Sequence, residues 1–394
     1  MMNVTTTLKV KFLDLNRTKA DLFAQTTEAS TELANKLLDV PTKERKKLTT
    51  AKVVTSLKSA LANQVLQVLK GKAGKRAKHY KVFWPEVNNQ NWKVCKVGNT
   101  YSVSFPTLQG VKRVPVEVNA YYSNQLDQLI DGTFKRGSLK LMQLRGVWYA
   151  MLSVTQDVPD AESIEKIGVD RGQNNLAVAS TLKGTCLFFS GKAVKHRRRQ
   201  FQQRRTSLQS AGKYRALKKL EQKEARWMRA VNHTISRRLV RFANSQQADI
   251  CIEDLSGIRK SAKQRKQNRS DAGTSRHTWA YYDLEIKLAY KMALAGRRVI
   301  KYLAAYTSKT DHRTGRLDGT RKRYSFIGAD GYTINADLNA SLNIAKWEGF
   351  ACAIELKEVI PVMGMVAQSH GVLDTPLNSM NQTARQLTLF PMFA

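Results

Sequence analysis

The chain has 394 residues, 42% of them hydrophobic, which suits about two or three folded domains and excludes a disordered protein. Lys and Arg number 66 against 31 Asp and Glu, a net charge of +35 spread along the chain rather than gathered in a tail. A folded body that basic repels itself unless a polyanion covers it, so nucleic acid is the expected partner; no run of about 18 apolar residues offers a membrane span.

Val4 to Leu13 alternates apolar and polar residues as a strand does, and "MMNVTTTLKVKF" lacks the apolar stretch of a signal peptide. From Lys19 to Lys70 apolar residues such as Leu22, Phe23, Leu33, Leu37, Leu57, Leu61, Val65 and Leu69 recur at helical spacing, with lysines on the polar face. A Gly- and Lys-rich loop is expected between Gly71 and Tyr80. Short strands follow at 93–106, 113–120 and 137–157, the last broken by Gly146 as a hairpin would be. Residues 1–157 thus read as a small β-barrel with a helical insertion. Trp84, Trp92 and Tyr101 could stack on bases, but aromatic residues in such a setting are more often core.

The texture changes at Ile164. "EKIGVDRGQNNLAVASTLKGTCLFFSG" (165–191) predicts three strands, and residues 192–241 a long basic helical region. Tyr214, Leu217, Leu220, Trp227, Val231, Ile235 and Leu239 mark one face of it; residues 191–230 carry 14 Lys and Arg against two Glu. The strand "ADICIEDLSG" (248–257), a basic loop (258–276), a helix starting near Trp279, the strand "RRVIKYLAA" (297–305) and the helix "NADLNASLNIAKWEGF" (335–350) complete the pattern. Cys95, Cys186, Cys251 and Cys352 form no CxxC or CxH pair and read as reduced core thiols of a cytosolic protein.

Three carboxylates share one setting. Asp170 closes "EKIGVD", Glu253 closes "ADICIED" and Asp337 opens the helix "NADLNASLNIA". Acids beside such apolar runs are costly unless paired or bound to a metal, and Mg²⁺ favours carboxylate, water and phosphate oxygens. Each taken alone also fits a turn, a strand end or a helix cap.

"IGVDRGQNNLAVAS" (167–180), "ICIEDLSGIRK" (250–260) and "INADLNASLNIA" (334–345) resemble the three motifs of the RuvC-type nuclease domain of TnpB proteins and the related type V CRISPR effectors. "WMRAVNHTISRRLV" (227–240) is similar to the helical insertion between their first two motifs, and "YTSKT" (306–310) to the lead into their zinc ribbon. The resemblance implies a multi-domain α/β architecture. A β-barrel wedge domain (1–15 and 86–157) would be interrupted by a helical recognition lobe (16–85). An RNase H-like RuvC domain (158–354) would carry the basic helical insertion (192–245) and the ribbon (307–333), followed by a tail (355–394). It implies guide RNA and double-stranded target DNA as partners, and Asp170, Glu253 and Asp337 as catalytic ligands of Mg²⁺, with Mn²⁺ as a substitute. Phosphate contacts are expected from Arg197, Arg198, Arg199, Arg204, Arg205, Lys218, Lys219, Arg321 and Arg323. A monomer associated with the nucleoid in the cytoplasm is the matching expectation.

One departure stands out. The family's ribbon has CxxC before its loop and CxxC after it, whereas the matching positions here are Asp311, Thr314, Ile327 and Asp330. None offers a thiolate, so the ribbon is expected to be a zinc-free hairpin packed around Tyr324, Phe326 and Tyr332. Two other readings compete with cleavage: RNA-guided DNA binding as a repressor or targeting factor, and a DDE-type transposase that uses no RNA.

Overall fold

The computed structural model describes residues 1–71, 78–255, 281–303, 306–350 and 385–387, within two compact units, Met1–Val158 and Pro159–Ala394. The expected loops at Gly71–Tyr80 and 258–276, Cys352 and most of the tail lie outside the described residues, wholly or in part. Among the described residues no helix is long and apolar enough to cross a membrane.

In the first unit, β1 (Met2–Phe12) is followed by α1 (Arg17–Asp39), the short α2 (Thr42–Arg45) and α3 (Ser59–Lys70). Strands β2 (Glu86–Val87), β3 (Lys93–Val97), β4 (Thr100–Thr107) and β5 (Gly110–Glu117) come next. Then α4 (Ala120–Ile130) precedes β6 (Lys135–Leu144) and β7 (Val147–Val158). The sheet is antiparallel throughout, in the order β2-β6-β7-β1-β5-β4-β3. The first strand therefore sits mid-sheet, pairing with β7 from Met2↔Val158 to Lys11↔Tyr149.

Arg145 and Gly146, at φ 54° and 82°, make the β6–β7 turn in the left-handed region where glycine is least strained. Phe23, Leu33, Leu61 and Leu66 share one core with Val10, Phe12, Val103 and Leu152, so the helical stretch packs onto the strands. Trp92 and Tyr101 are buried in that core, which removes them as base-stacking platforms, while the partly buried Trp84 packs against it. Asn119 caps α4, its Oδ1 accepting from Tyr122 N at 3.0 Å, a helix hidden in strand-rich sequence.

The second unit holds β8 (Glu165–Asp170), β9 (Asn175–Thr181), β10 (Cys186–Ser190), α5 (Lys192–Ser210), α6 (Tyr214–Ser245) and β11 (Ala248–Asp254). After these come α7 (Tyr281–Leu294), β12 (Val299–Leu303), the small strands β13 (Thr320–Lys322), β14 (Ser325–Ile327) and β15 (Thr333–Asn335), α8 (Ala336–Phe350) and β16 (Arg385–Leu387). The main sheet runs β12-β11-β8-β9-β10-β16, with β8, β9 and β10 antiparallel and β8, β11 and β12 parallel. β16 adds a parallel edge beside β10.

The basic region is two helices rather than one, broken at Gly212 (φ 64°), and Tyr214 lies exposed rather than on the packed face. Met228, Val231, Ile235 and Leu239 of α6, with Leu284 and Leu288 of α7, cover one side of the sheet.

Strand alternation fixes what faces the other side. Ile167 and Val169 of β8, and Ile250 and Ile252 of β11, point into the core beneath α6 and α7. Gly168 and Asp170 then face the opposite way, as do Cys251 and Glu253. On that face α8 lies so close to β8 that a Cβ at Gly168 would overlap Ser341 O and Ala345 N, so only glycine admits the helix. Ser180 and Ser341 share a 2.8 Å hydrogen bond alongside. From Ala336 to Lys346 α8 is buried on nearly every side, which explains why that stretch shows so little amphipathic pattern.

Candidate active site

β8 and β11 are parallel neighbours in register, Cys251 opposite Gly168 and Ile252 opposite Val169, so one further step carries Asp170 and Glu253 to the same carboxyl edge and the same face. The first turn of α8 brings Asp337 to that edge. Asn335 caps the helix, its Oδ1 accepting from Asp337 N at 3.0 Å and Leu338 N at 3.1 Å.

Asp170 senses the other two acids. Desolvation, then the negative charges of Glu253 and Asp337, push the Asp170 carboxyl well above the ordinary carboxylate range. Burial also raises Glu253, against the lowering effect of Thr307, Arg171 and Arg321. All three retain partial exposure, so the cluster opens to solvent rather than being sealed in the core.

Protein donors hold the outer oxygens. Arg321 Nη2 donates to Asp337 Oδ1 at 2.7 Å, and Asn175 Nδ2 to Asp337 Oδ2 at 2.9 Å. Thr307 Oγ1 donates to Glu253 Oε1. The buried Arg171 guanidinium donates to the Glu253 carbonyl and pairs with Glu285 at 3.2 Å, fixing the end of β11 against α7. Among the described residues no three His, Cys, Asp or Glu side chains stand close enough together to hold a metal ion. The donor chemistry nonetheless suits a hard divalent cation: three hard oxygen donors, short of positive charge, with the guanidiniums of Arg321 and Arg171 supplying part of the deficit.

The expected phosphate-binding residues divide. Arg198 and Arg205 are spent on the buried Glu224, which ties α5 to α6, and Arg321 is spent on Asp337. Arg197, Arg199, Arg204, Lys218, Lys219 and Arg323 face solvent. A cavity of about 600 Å³ at the start of α5 is lined by Asn174, Asn175, Lys192, Lys195, Arg199 and Tyr324. Since Asn175 also holds Asp337, this basic cavity borders the carboxylates.

Residues 307–335 form a hairpin-like subdomain against α8, its strands ordered β13-β14-β15. Phe326 is fully buried with Ile334, Leu338 and Leu342, and Tyr332 packs beside them, but Tyr324 is 52% exposed and takes no part in that packing. Asn339 and Asn343, one helical turn apart, receive the preceding loop. Asn339 Nδ2 donates to Thr310 O at 2.7 Å, and Asn343 Nδ2 to Thr307 O and Thr310 O at 2.8 and 2.6 Å. Sequence reasoning reached the three acids but missed Asn175, Thr307 and Arg171, whose side chains matter only through long-range geometry.

Comparison with known proteins gives a consistent set of likenesses. Residues 150–256 match the family model "Probable transposase" (OrfB_IS605), and residues 281–344 match the "Cas12f1-like, TNB domain". The chain is 29% identical over 246 residues to the CRISPR-associated endodeoxyribonuclease Cas12f1 of Sulfoacidibacillus thermotolerans, a match covering 56% of this chain and 55% of that one. It is 27% identical over 215 residues to Cas12f1 of Syntrophomonas palmitatica, covering 48% of this chain and 40% of that one. These matches span about half the length of the curated relatives or less. The fold is similar to the protein in a cryo-EM structure of a Cas12f1–sgRNA–target DNA complex, with TM-score 0.64 at 13% identity, over 87% of this chain and 99% of that one.

Proposed function

We propose that this chain, which is TnpB-like and related to the compact type V effectors, is an RNA-guided DNA endonuclease. The observation that carries the reading is the meeting of Asp170, Glu253 and Asp337, from three distant segments, at one sheet edge beside a basic cavity. The β8-β9-β10 antiparallel run followed by parallel β11 and β12 supports the RNase H-like, RuvC-type assignment of that sheet.

Guide RNA would select the target by base pairing, while the protein reads a short flanking DNA motif and the shape of the heteroduplex. Asp170, Glu253 and Asp337, which as they stand are not close enough together to hold an ion, are the residues that would have to draw in around Mg²⁺ or Mn²⁺; the chemistry such an ion supplies when bound is Lewis acidity toward the scissile phosphate and its attacking water. The chain's own residues do the rest. Asn175 orients Asp337, Thr307 orients Glu253, and Arg171 fixes the strand end that presents Glu253. Lys192, Lys195 and Arg199 place positive charge where a phosphodiester backbone would approach. The wedge domain and recognition lobe are assigned to the first unit on the same reading.

RNA-guided binding without cleavage is the second reading, favoured by the guanidinium of Arg321 on Asp337. Purification with RNA expressed from the native locus, followed by a Mg²⁺-dependent cleavage assay on a matching DNA library, separates the two. Cutting that needs both the RNA and Asp170 supports the nuclease. RNA-dependent binding that is indifferent to Asp170→Ala supports the targeting factor, and a protein that carries no RNA contradicts both.

A further inference from the structure

The ribbon positions that would carry zinc ligands do not fit the ion. Thr314 lies in a tight turn, Ile327 has no donor, and the carboxylates of Asp311 and Asp330 already converge on another cation, the guanidinium of Arg313. Its Nη2 lies 2.9 Å from Asp311 Oδ2 and 2.8 Å from Asp330 Oδ1. Its Nη1 lies 2.9 Å from Asp330 Oδ2, and Nε 3.3 Å from Asp311 Oδ1.

We infer that Arg313 replaces the zinc ion as the cross-link of this ribbon, joining its two turns through an Asp311–Arg313–Asp330 clamp. Both turns are built for it. Asp311 N donates to Arg316 O at 2.9 Å and Gly315 N to Asp311 O at 2.8 Å, which closes the first. Gly331 N donates to Gly328 O at 3.0 Å and Gly328 N to Tyr332 O at 2.8 Å, which closes the second. A Cβ at Gly328 would stand 2.7 Å from Asp311 Oδ2, 2.8 Å from Asp330 Oδ1 and 2.9 Å from Arg313 Nη2, so glycine there leaves the room the clamp occupies.

The guanidinium also stacks 3.9 Å from the centroid of Tyr332, which joins the clamp to the packing around Phe326. Asp311 is 1% exposed, and a carboxylate buried so fully needs a cationic partner. A planar fork can engage two carboxylates at once, which an ammonium group cannot do in the same geometry. Two acids and an arginine thus bridge what four thiolates and a metal bridge in the family pattern, with no thiol to oxidise and no ion to lose.

The clamp can be tested independently of cleavage, by hydrogen exchange of the full chain over residues 307–335 together with its zinc content. Wild type is expected to hold far less than one zinc per chain and to exchange identically with excess zinc and with a zinc chelator. Arg313→Ala should speed exchange of β13–β15 at least tenfold, and Arg313→Lys should fail to restore it. The exposed Asp330→Asn, which poses little risk to folding, should speed it by a smaller factor. One zinc per chain with exchange that rises on chelation would overturn the inference, as would Arg313→Ala and Asp330→Asn variants that exchange like wild type.

Discussion

Arg321 Nη2 and Asp337 Oδ1 stand 2.7 Å apart, so the ribbon strand β13 delivers a positive charge directly to the carboxylate cluster. That charge works against the burial and, after it, the repulsion from Glu253 and Asp337 that raise Asp170. Arg321→Ala should therefore destabilise the protein in the absence of divalent ions by roughly 1 kcal/mol, a modest figure because the side chain is partly exposed. Added Mg²⁺ should recover more stability in the variant than in wild type. Thermal melts with and without Mg²⁺ read both effects, and identical Mg²⁺ responses would remove Arg321 as the local counter-charge.

Asp170 is held against its preference. Replacing it with Asn removes a buried carboxyl whose ionisation is opposed first by burial and then by Glu253 and Asp337, so the variant should melt several degrees higher in metal-free buffer while cleavage falls by about 10³-fold or more. Calorimetry beside a cleavage assay separates these outcomes, and loss of both stability and activity would assign Asp170 a purely structural role.

Gly168 is the closest approach between β8 and α8. A methyl group there would push the helix off the strand, so Gly168→Ala should cost about 3 kcal/mol or more and displace Asp337 from its partners. Urea denaturation measures the loss; a variant within about 0.5 kcal/mol of wild type would show that α8 shifts freely.

His312 gives the ribbon a defined acid sensitivity. Its backbone N and ring Nδ1 contact Asn339 Oδ1 at 3.0 and 2.8 Å, and burial lowers its pKa to about 4 from the ordinary 6.5. The folded state thus keeps the ring neutral after the unfolded chain has begun to take up protons. Stability from this group is complete above pH 6.5 and is lost as pH falls toward 4, by about 3 kcal/mol in total. His312→Asn, whose Nδ2 can donate in place of Nδ1, should flatten that slope, as read from melting temperatures between pH 7 and 4.

Exposed charge on α5 and α6 should set the salt dependence of RNA binding. Joint replacement of Arg204, Lys218 and Lys219 by Ala should reduce the slope of log K against log salt by about 1 for each phosphate that is no longer neutralised. Arg198→Ala should instead loosen α5 from α6 through Glu224, lowering stability with little change in slope.

What the sequence made legible follows from how local each signal is. The acids of "IGVD" and "ICIED" could be placed at one edge because strand alternation and the flanking apolar residues are local patterns. The turn at Gly146 was legible for the same reason. Gly212 breaks a helix whose apolar spacing continues on both sides, so the pattern of α6 runs back into α5 without a visible interruption. Arg198, Arg205 and Arg321 look like solvent-facing charge until Glu224 and Asp337 are brought to them from 16 or more residues away. The lack of cysteine at Asp311, Thr314, Ile327 and Asp330 is plain in the sequence, but the contacts of Arg313 with Asp311 and Asp330 are not, since Asp330 is brought to it only by folding.

The most direct test of the account reprogrammes the target. The RNA that copurifies with the protein is sequenced, its targeting segment is replaced, and cleavage of the old and new DNA sequences is compared in Mg²⁺. Cleavage that moves to the new sequence and disappears with Asp170→Ala is the predicted result. Cleavage that ignores the replacement, or that persists without Asp170, would contradict an RNA-guided nuclease built on these three carboxylates.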